Sequence, residues 1–589
     1  MFIDFNTFTG KTPKINERQL PLGASTAAKN FRVDSGYCID PYKRHGESMT
    51  SPTVTAVRTF MVYPATDTRV WPPVSIDLQM YWGDELDVCE GFSVIPGVGG
   101  GTPSLIYTGD GRPKQVSAFA YTVEFPLGIG QPSSAPTVEE RIVFDPGLSE
   151  EDKETYKSTI TTVSYCYTVV DNFGQESQPS EPTQYYDVYN YVGGEGIRLK
   201  GFSIPEGGVP GGTGESLLIR IYRCQSGSGS LAEFFFIGNS SINIYSPEDC
   251  SFTDYSAGEK SFIPATTDVL TTADWASPPD DLIGITRFSN SVLSGFRKDS
   301  NILCFSEPFI QYAWPLKYQL KMPQKIIGIV CLGDELVVFM PSILCTVKGE
   351  PGAMTSCEIY GSKGSPCINR RAFVKTEKGV IFPGHDGLYL YNGAVCENLT
   401  SRTLNTIQWR SMLPDVFHGV FYDGYYWALN LSEGSITCID VNDGSIIELD
   451  ASFIPGVLYG ATVDYHGRLW IQKTDKVYPW SEGEESLTAR WSSGLVTLSS
   501  PVNFSSAIIY SDSPTDKNIK RLVVYGHYKN KAEIVFDSQE INNVVDIPFN
   551  TPFRLPSGFL VASFKIEIET DVAIRNIRIA TSMTELAGV

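Results

Sequence analysis

Residues 379–393 read GVIFPGHDGLYLYNG, and this stretch decides the fold. Two short apolar runs, residues 380–382 and 388–391, flank His385-Asp386-Gly387. An Asp-Gly pair between strand-forming runs is a strong hairpin signal, because Asp and Gly tolerate the positive φ of a tight turn. The stretch therefore predicts two antiparallel strands joined by a turn at Asp386-Gly387.

The same pattern recurs on both sides of this stretch. Four more segments place a turn signal between apolar runs: 326–340 at Gly333-Asp334, 421–430 at Asp423-Gly424, 436–449 at Asp443-Gly444, and 462–472 near His466-Gly467. Hairpins at such short spacing, with little helical periodicity between them, are typical of small antiparallel sheets repeated around an axis. The sequence predicts an all-β protein built on a β-propeller, and a large β-sandwich is the alternative.

Composition limits the class of protein. A chain of 589 residues with 42% hydrophobic and 12% aromatic residues forms several cores, so two to four domains are expected. No run approaches the ~18 apolar residues of a membrane span. The start, MFIDFNTFTGK, shows no basic region followed by an apolar region, so no secretion signal is expected.

Charge and cysteine content exclude further classes. The net charge of −21 argues against a protein that grips nucleic acid through its phosphates, because such a protein is basic. The 12 cysteines are scattered without a Cys-x-x-Cys pair, which leaves zinc and thioredoxin-type motifs unsupported. We expect free, mostly buried thiols in a reducing compartment.

Changes in composition along the chain suggest five regions. A Pro/Gly/Ser-rich stretch at about 112–136 indicates a boundary, and hairpins resume after residue 280. The predicted regions are an extended N-terminal arm (1–43), the first part of the propeller (44–111), an inserted β-sandwich (112–262), the main part of the propeller (263–500), and a C-terminal β segment (501–589) that closes the propeller or forms a small sandwich.

The inserted region has the pattern of a fibronectin type III-like sandwich. Residues 163–170 alternate between two faces and lead into a Gly-bearing turn and a Ser/Pro-rich edge, as in the last hairpin of such a domain. Residues 218–224, 233–238 and 251–255 predict strands of a second, adjoining sandwich unit. Two helices are predicted, at 149–157 and at 399–413 with Pro414 as the stop.

No motif predicts catalysis, a metal or a cofactor. Gly10-Lys11-Thr12 lacks the first glycine of a phosphate-binding loop, and no Gly-x-Ser-x-Gly elbow occurs. The segment from Asp464 to Trp470 has one residue too many between Asp and Gly for a sialidase box, and Gly444 falls one position early for the calcium loop at Asp440. His45, His385, His418, His466 and His527 show no metal-ligand spacing. We therefore expect a protein that is not an enzyme.

Three segments, taken in order, resemble the tail hub or nozzle proteins of short-tailed bacteriophages, the group of packaged-DNA-stabilisation hubs and tail tubular protein B. The first is the arm, with Gly10, Pro13, Leu20-Pro21, Ala24, Ala28, Asn30 and Gly36. The second contains Pro278-Pro279, Phe305-Ser306-Glu307-Pro308, Ala313-Trp314-Pro315 and Ile326-Ile327-Gly328. The third runs from Gly364 through residues 379–382 and Asp386-Gly387-Leu388 to the helix bearing Trp409; Arg490-Trp491 and Pro501-Val502-Asn503-Phe504 follow the same pattern.

The resemblance implies a β-propeller that assembles as a ring, expected to be a homohexamer, below the portal and adaptor. Such a ring continues the DNA channel, helps to retain packaged DNA, and passes it without specific binding. Tail fibres or spikes are further expected partners, and the expected location is the virion tail after assembly in the host cytoplasm. The competing hypotheses are a cell-surface propeller–sandwich adhesin that binds glycans or proteins, and an enzyme with an unrecognised site.

The excess acid suggests how DNA would pass. Acidic walls repel a duplex over roughly the ~8 Å Debye length at physiological salt, so carboxylates would have to line the bore itself. Residues 84–87 and 482–485 are candidates for that lining. The alternative is that the acids are ordinary surface charge.

Overall fold

The stretch 379–393 forms the predicted hairpin in the computed structural model of the protein. Strands Gly379–Pro383 and Leu388–Tyr391 pair antiparallel with Pro383 opposite Leu388, and a four-residue loop joins them, closed by the Gly384 N–H donating to the Gly387 carbonyl at 2.8 Å. The structure describes residues 1–33, 38–67, 74–94, 101–117, 124–143, 149, 151, 160–171, 173–189, 195–205, 216–225, 233–257, 268–288, 292–359, 367–512, 518–528, 531–540, 543–556 and 560–586.

In the described part of the chain, six blades of four antiparallel strands each form the propeller; the sheet of blade 5 continues through Ser25–Lys29 into the C-terminal sandwich. Blade 1 is Asp87–Val94, Gly101–Thr108, Lys114–Ser117 and Glu124–Pro126; blade 2 is Leu282–Arg287, Leu293–Arg297, Ile302–Phe305 and Leu320–Lys321; blade 3 is Gly328–Leu332, Glu335–Phe339, Leu344–Lys348 and Thr355–Glu358. Blade 4 is Val374–Thr376, Gly379–Pro383, Leu388–Tyr391 and Cys396–Asn398; blade 5 is Phe417–Tyr422, Tyr425–Asn430, Ser435–Asp440 and Ile446–Leu449; blade 6 is Leu458–Val463, Leu469–Lys473, Lys476–Pro479 and Met49–Thr50. The strand given first in each blade is the innermost.

A two-stranded closing hairpin, Thr59–Asp67 with Val74–Trp82, completes the circle between blade 6 and blade 1. Apolar clusters fill every boundary in turn; for example, Phe60 and Val62 of the hairpin pack on Trp470 of blade 6, and Trp82 packs on Tyr107 of blade 1. Equivalent clusters join blades 1 and 2, 2 and 3, 3 and 4, 4 and 5, and 5 and 6. The chain is thus an all-β propeller, as predicted, with seven modules around its axis.

Turn chemistry explains why the blades could be recognised from the sequence. Asp423 and Gly424 both have positive φ, 53° and 82°, and they join Tyr422 directly to its partner Tyr425. A two-residue turn with two left-handed residues matches the twist of the strands it connects. The predicted turns at Gly333, Gly444 and Gly467 also have positive φ.

The inserted sandwich lies between blades 1 and 2 and is one domain. Its sheets contain Thr137–Val143, Glu195–Lys200 and Phe252–Asp254 on one side, and Tyr186–Tyr189, Ile160–Val170, Ser216–Gln225 and Phe235–Asn243 on the other. Two corrections follow. The strand Ile160–Val170 pairs with Ser216–Gln225, so the expected two adjoining units form a single core. The predicted start at 112 is too early, because the two short strands that follow it belong to blade 1.

The C-terminal region forms a second sandwich, and the arm is part of it. One sheet contains Phe2–Phe5, Asn576–Ala580, Ser506–Tyr510 and Phe553–Arg554; the other contains Ser25–Lys29, Ala489–Ser493, Val496–Val502, Val561–Thr570, Arg521–Tyr528 and Lys531–Asp537. Small pairs are Phe31–Val33 with Ile39–Pro41 and Gln539–Glu540 with Asn543–Val544. The predicted propeller boundary at 500 is therefore corrected to Pro479, where the last propeller strand ends. No described C-terminal strand completes a blade: Met49–Thr50 is the fourth strand of blade 6, and the closing hairpin completes the circle.

The helices in the described ranges are few and short. The predicted helix 399–413 is only Thr406–Ser411, because the Asn405 side chain caps the Gln408 N–H and the Gln408 side chain caps Asn405 in return. Leu413, at φ 57°, ends this segment before Pro414. In the described residues, other helical segments are Met583–Leu586 and the 3₁₀ turns Pro247–Asp249, Thr272–Asp274, Leu316–Tyr318, Arg370–Ala372 and Pro414–Val416. The predicted helix 149–157 lies outside the described residues, apart from 149 and 151.

Candidate functional site

Asp87 is the centre of a cluster of charged groups on the propeller axis. It begins the innermost strand of blade 1, and its carboxylate accepts a hydrogen bond from the Gly284 N–H of blade 2 at 2.7 Å. The same carboxylate contacts the guanidinium groups of Arg370 and Arg371, which precede the innermost strand of blade 4; the Arg371 Nη1–Asp87 Oδ1 distance is 3.1 Å. One side chain therefore joins three blades.

The two arginines are held in place by their own turn. Asn369 caps it, because its side-chain oxygen accepts from the Arg371 N–H at 2.8 Å while its Nδ2 donates to the Phe417 carbonyl at 2.6 Å. Tyr426 of blade 5 donates its hydroxyl to the Ala372 carbonyl at 2.7 Å. Neighbouring blades thus fix the direction in which the guanidinium groups extend.

Arg371 also binds the loop that precedes blade 1. Its Nη1 donates to the Leu86 carbonyl at 3.1 Å, and its Nε lies 3.5 Å from a Glu85 carboxylate oxygen. Burial lowers the pKa of Arg371, and Glu85 opposes this shift. Burial and the Arg371 charge lower the pKa of Arg370. Both guanidinium groups nevertheless stay charged at neutral pH, because Asp87 contacts both and arginine is not deprotonated in proteins.

These ion pairs cross the centre of the propeller. Blades 2 and 3 separate blade 1 from blade 4 on one side of the ring, and blades 5 and 6 and the closing hairpin separate them on the other. A direct contact between Asp87 and the Arg370–Ala372 turn therefore spans the axis. The hole that a propeller would otherwise have at its centre is closed by side chains at this level.

A cavity of about 530 Å³ adjoins the cluster. Its walls are the innermost strands of blades 1 to 4, and its lining is Asp87, Val88, Cys89, Glu90, Gly284, Ile285, Thr286, Arg287, Gly328, Ile329, Val330, Cys331, Arg370, Phe373 and Lys375. Burial raises the pKa of the Cys89 thiol to about 12, which the nearby Arg287 opposes. Burial also raises the pKa of the Cys331 thiol, which Lys375 opposes. Both thiols are therefore protonated at neutral pH.

The acids predicted to line a bore differ in their surroundings. Glu85 and Asp87 bind arginines of their own chain, so they are not free carboxylates. Glu482, Glu484 and Glu485 are exposed, and Glu485 lies 3.4 Å from the Arg44 guanidinium.

The weaker motifs have structural explanations. Asp464 accepts hydrogen bonds from the Arg468 N–H and from Trp470 Nε1, each at 2.9 Å, so the segment is the predicted hairpin. Asp440 accepts from the Asn442 N–H at 2.7 Å and shapes its own turn. The ring of His418 lies 2.9 Å from the Ala461 carbonyl, and burial lowers its pKa. Among the described residues, no group of three or more His, Cys, Asp or Glu side chains is placed to hold a metal.

The axial cluster was missed in the sequence, although one signal was present. Arg370-Arg371 is the only Arg-Arg pair in a chain of 67 acidic and 46 basic residues. Recognising its partner required knowledge that blades 1 and 4 face each other.

The cysteines are free thiols in the structure. No described helix is long and apolar enough to cross a membrane.

No known protein family matches the sequence, and no curated protein does so. Several solved β-propeller structures resemble parts of the fold. Virginiamycin B lyase from Staphylococcus aureus is 11% identical and covers 50% of this chain and 93% of its own, with a TM-score of 0.26. The WD40 domain of Neurospora crassa Pan2 is 10% identical over 60% of this chain and 98% of its own, with a TM-score of 0.23. A gluconolactonase from Xanthomonas campestris is 11% identical and covers 42% of this chain and 82% of its own, with a TM-score of 0.23. Neither these identities nor these TM-scores carry an activity to this chain.

Proposed function

We propose that this chain is a structural subunit of a short bacteriophage tail, one wall segment of a hub or nozzle ring below the portal and adaptor. The ring continues the DNA channel, helps to retain packaged DNA, and passes it during ejection. The proposal starts from the resemblance of the arm, of blade 2 and of blade 4 to tail hub proteins. It gains support from one structural observation, which is the closed propeller axis.

The closed axis argues that a single copy is not a conduit. Asp87, Arg370 and Arg371 occupy the centre of the propeller, so a duplex has no path through one chain. A DNA channel built from this protein therefore needs several copies arranged around it, and the resemblance gives six as the expected number. In that arrangement each propeller is a solid part of the wall.

The packing of the arm suits such a role, because it binds the propeller and the C-terminal sandwich into one body. Ser25–Lys29 pairs with Ala489–Ser493 of the sandwich on one side and with Ile446–Leu449 of blade 5 on the other. Phe5 and Phe8 pack edge-on against Trp491, with ring centroids 5.7 and 5.0 Å apart. A wall that holds back packaged DNA has to resist deformation, and buried aromatic packing of this kind resists it.

Averaged cryo-electron microscopy images of particles that carry this chain test the proposal. We expect a ring on the tail axis directly below the adaptor, with one copy per symmetry unit. A single copy attached to the side of the particle, or on a cell surface, would contradict the hub and favour the adhesin. A fluorescence-anisotropy titration with labelled duplex DNA at physiological salt is expected to show no binding to the isolated chain, because its net charge is −21.

A further inference from the structure

The axial cavity has the size and position of a small-molecule site. Its volume of about 530 Å³ lies within the range of ligand pockets, roughly 300–1,000 Å³. It is formed by four consecutive blades, and no strand crosses it among the described residues. The ion pairs of Asp87 form part of its wall. The proposed structural role makes no use of this space.

The charge of the cavity wall is opposite in sign to that of the protein. Arg287, Arg370 and Lys375 line it together with two acids, Glu90 and Asp87. Asp87 is already neutralised by Arg370 and Arg371, whereas the described residues provide no ion-pair partner for the Lys375 ammonium group. A concave surface with an excess of positive charge in a chain of net charge −21 attracts anions into the cavity.

Backbone donors add to this charge. In the described part of the chain, the innermost strands of blades 1 to 4 each pair with a neighbouring strand on one side only, so their other edges face the axis. The carboxylate of Asp87 is an example of an anion bound in this environment. It accepts hydrogen bonds from the Gly284 N–H of an inner strand and from two guanidinium groups. A second anionic group in the cavity would meet the same kinds of donor.

We infer that the axial cavity binds a small molecule bearing carboxylate or phosphate groups. The Lys375 ammonium is the cation that contacts these groups, and the inner strand edges supply N–H donors. Glu90, in the same wall, accepts a hydrogen bond from a hydroxyl group of the ligand. A hydroxylated polyanion therefore fits the wall better than a simple inorganic ion.

Cys331 provides a local reporter of occupancy. It is half-buried, lines the cavity, and is near enough to Lys375 to feel its charge. Cys357 is exposed on the outermost strand of blade 3 and serves as an internal control. The rate of iodoacetamide alkylation at each cysteine of the native protein is measured by peptide mass spectrometry, with citrate and with inorganic phosphate as probes. Sodium chloride at matched ionic strength gives the baseline.

We expect citrate to slow alkylation of Cys331 in a saturable manner and to leave Cys357 unchanged. Phosphate is expected to protect Cys331 only at higher concentration than citrate; the reverse order would contradict the preference for a hydroxylated polyanion. Lys375→Gln should raise the half-protecting concentration about tenfold or more, as loss of a charge-assisted hydrogen bond does. Lys378→Gln is the matched control, because Lys378 lies in the same hairpin but contacts Asn442.

Three results would overturn the inference. The first is that neither probe protects Cys331. The second is that Cys331 and Cys357 are protected equally, which would indicate an effect of ionic strength. The third is that Lys375→Gln and Lys378→Gln give the same half-protecting concentration. Circular dichroism of both variants checks that each is folded. Isothermal titration calorimetry with citrate checks that the protection curve reports binding.

Discussion

Replacing Asp87 by Asn tests whether the axial ion pairs hold the blades together. Asn keeps the size of the side chain and an oxygen that accepts from the Gly284 N–H, but it removes the negative charge that Arg370 and Arg371 share. Removing one partner of a buried ion pair costs roughly 3–5 kcal/mol. Because the side chains of both arginines are 23% exposed, we expect the lower end, about 3 kcal/mol.

The loss is local, so hydrogen–deuterium exchange is the appropriate measurement. A chain of several domains does not unfold in one step, and a single midpoint would not isolate the axis. About 3 kcal/mol corresponds to roughly 150-fold faster exchange through local opening. We expect this increase in peptides containing Asp87–Val94, Leu282–Arg287 and the Arg370–Ala372 turn, and not in the inserted sandwich.

Asp299→Asn is the matched control. Asp299 pairs with Lys325 at 2.6 Å on the exposed surface, and water screens such a pair. This variant should exchange like the wild-type protein throughout. If Asp87→Asn and Asp299→Asn have the same exchange rates in the three axial peptides, the ion pairs do not hold the blades together, and the structural argument for a solid propeller is refuted.

Three further predictions concern other parts of the molecule. Burial raises the pKa of Asp171 to about 6, from roughly 3.9 in the unfolded chain, so the stability that the protonated carboxyl group contributes is complete below pH 4 and is lost as pH rises through 6. Relative to wild type, Asp171→Asn should therefore gain up to about 3 kcal/mol between pH 4 and pH 7, measured by hydrogen–deuterium exchange of peptides from Ile160–Val170. A difference that does not depend on pH would contradict this. Thiol titration of the denatured, unreduced protein should find nearly all 12 cysteines reactive, and a deficit of two or more would argue for disulfides. Replacing residues 132–257 by a short Gly-Ser linker should leave a folded propeller with a lower melting temperature. The reason is that the Gln115 side chain and the Gly128 N–H lose their hydrogen bonds to the Gln175 side chain. Failure to fold would show that the sandwich is not a separable insertion.

Local features of the sequence predicted the blades because a hairpin is encoded over about fifteen residues. The residue types at the turns Gly333, Asp423-Gly424 and Gly444 indicate the positive φ that these turns have in the structure. The boundary at 112 was misplaced because local composition there does not distinguish a loop from short strands. Pro, Gly and Ser are frequent in residues 126–136, and the two strands of blade 1 just before them are too short, at four and three residues, to show a period.

What the sequence could not predict depends on contacts between distant residues. Phe2–Phe5 pairs with Asn576–Ala580, and the residues of neither strand indicate which distant strand it pairs with. The axial cluster has the same origin, since Asp87 and Arg370 are far apart in sequence and meet only once the ring has closed. The start of the helix at Thr406–Ser411, by contrast, has a local signal, because Asn405 and Gln408 have the spacing of a capping box; the prediction of 399–413 did not use it.

The place of the first fifty residues has a consequence for how the protein is made. Their strands precede most of the described chain in the order of synthesis, yet they pair with Asn576–Ala580, Ala489–Ser493 and Lys476–Pro479, which are made much later. At ~5–20 residues per second, about half a minute to two minutes separates the synthesis of Phe5 from that of its partner Ile577. Until Lys476–Pro479 has been made, the middle blades can form but the propeller circle stays open, with unpaired strand edges at both ends. A chain cut short by a nonsense codon or a stalled ribosome lacks the strands that seal it. Such a fragment exposes unpaired strand edges to proteases and aggregation. The pairing of early strands with late ones therefore delays closure of the propeller and of the C-terminal sandwich until the late strands have been made.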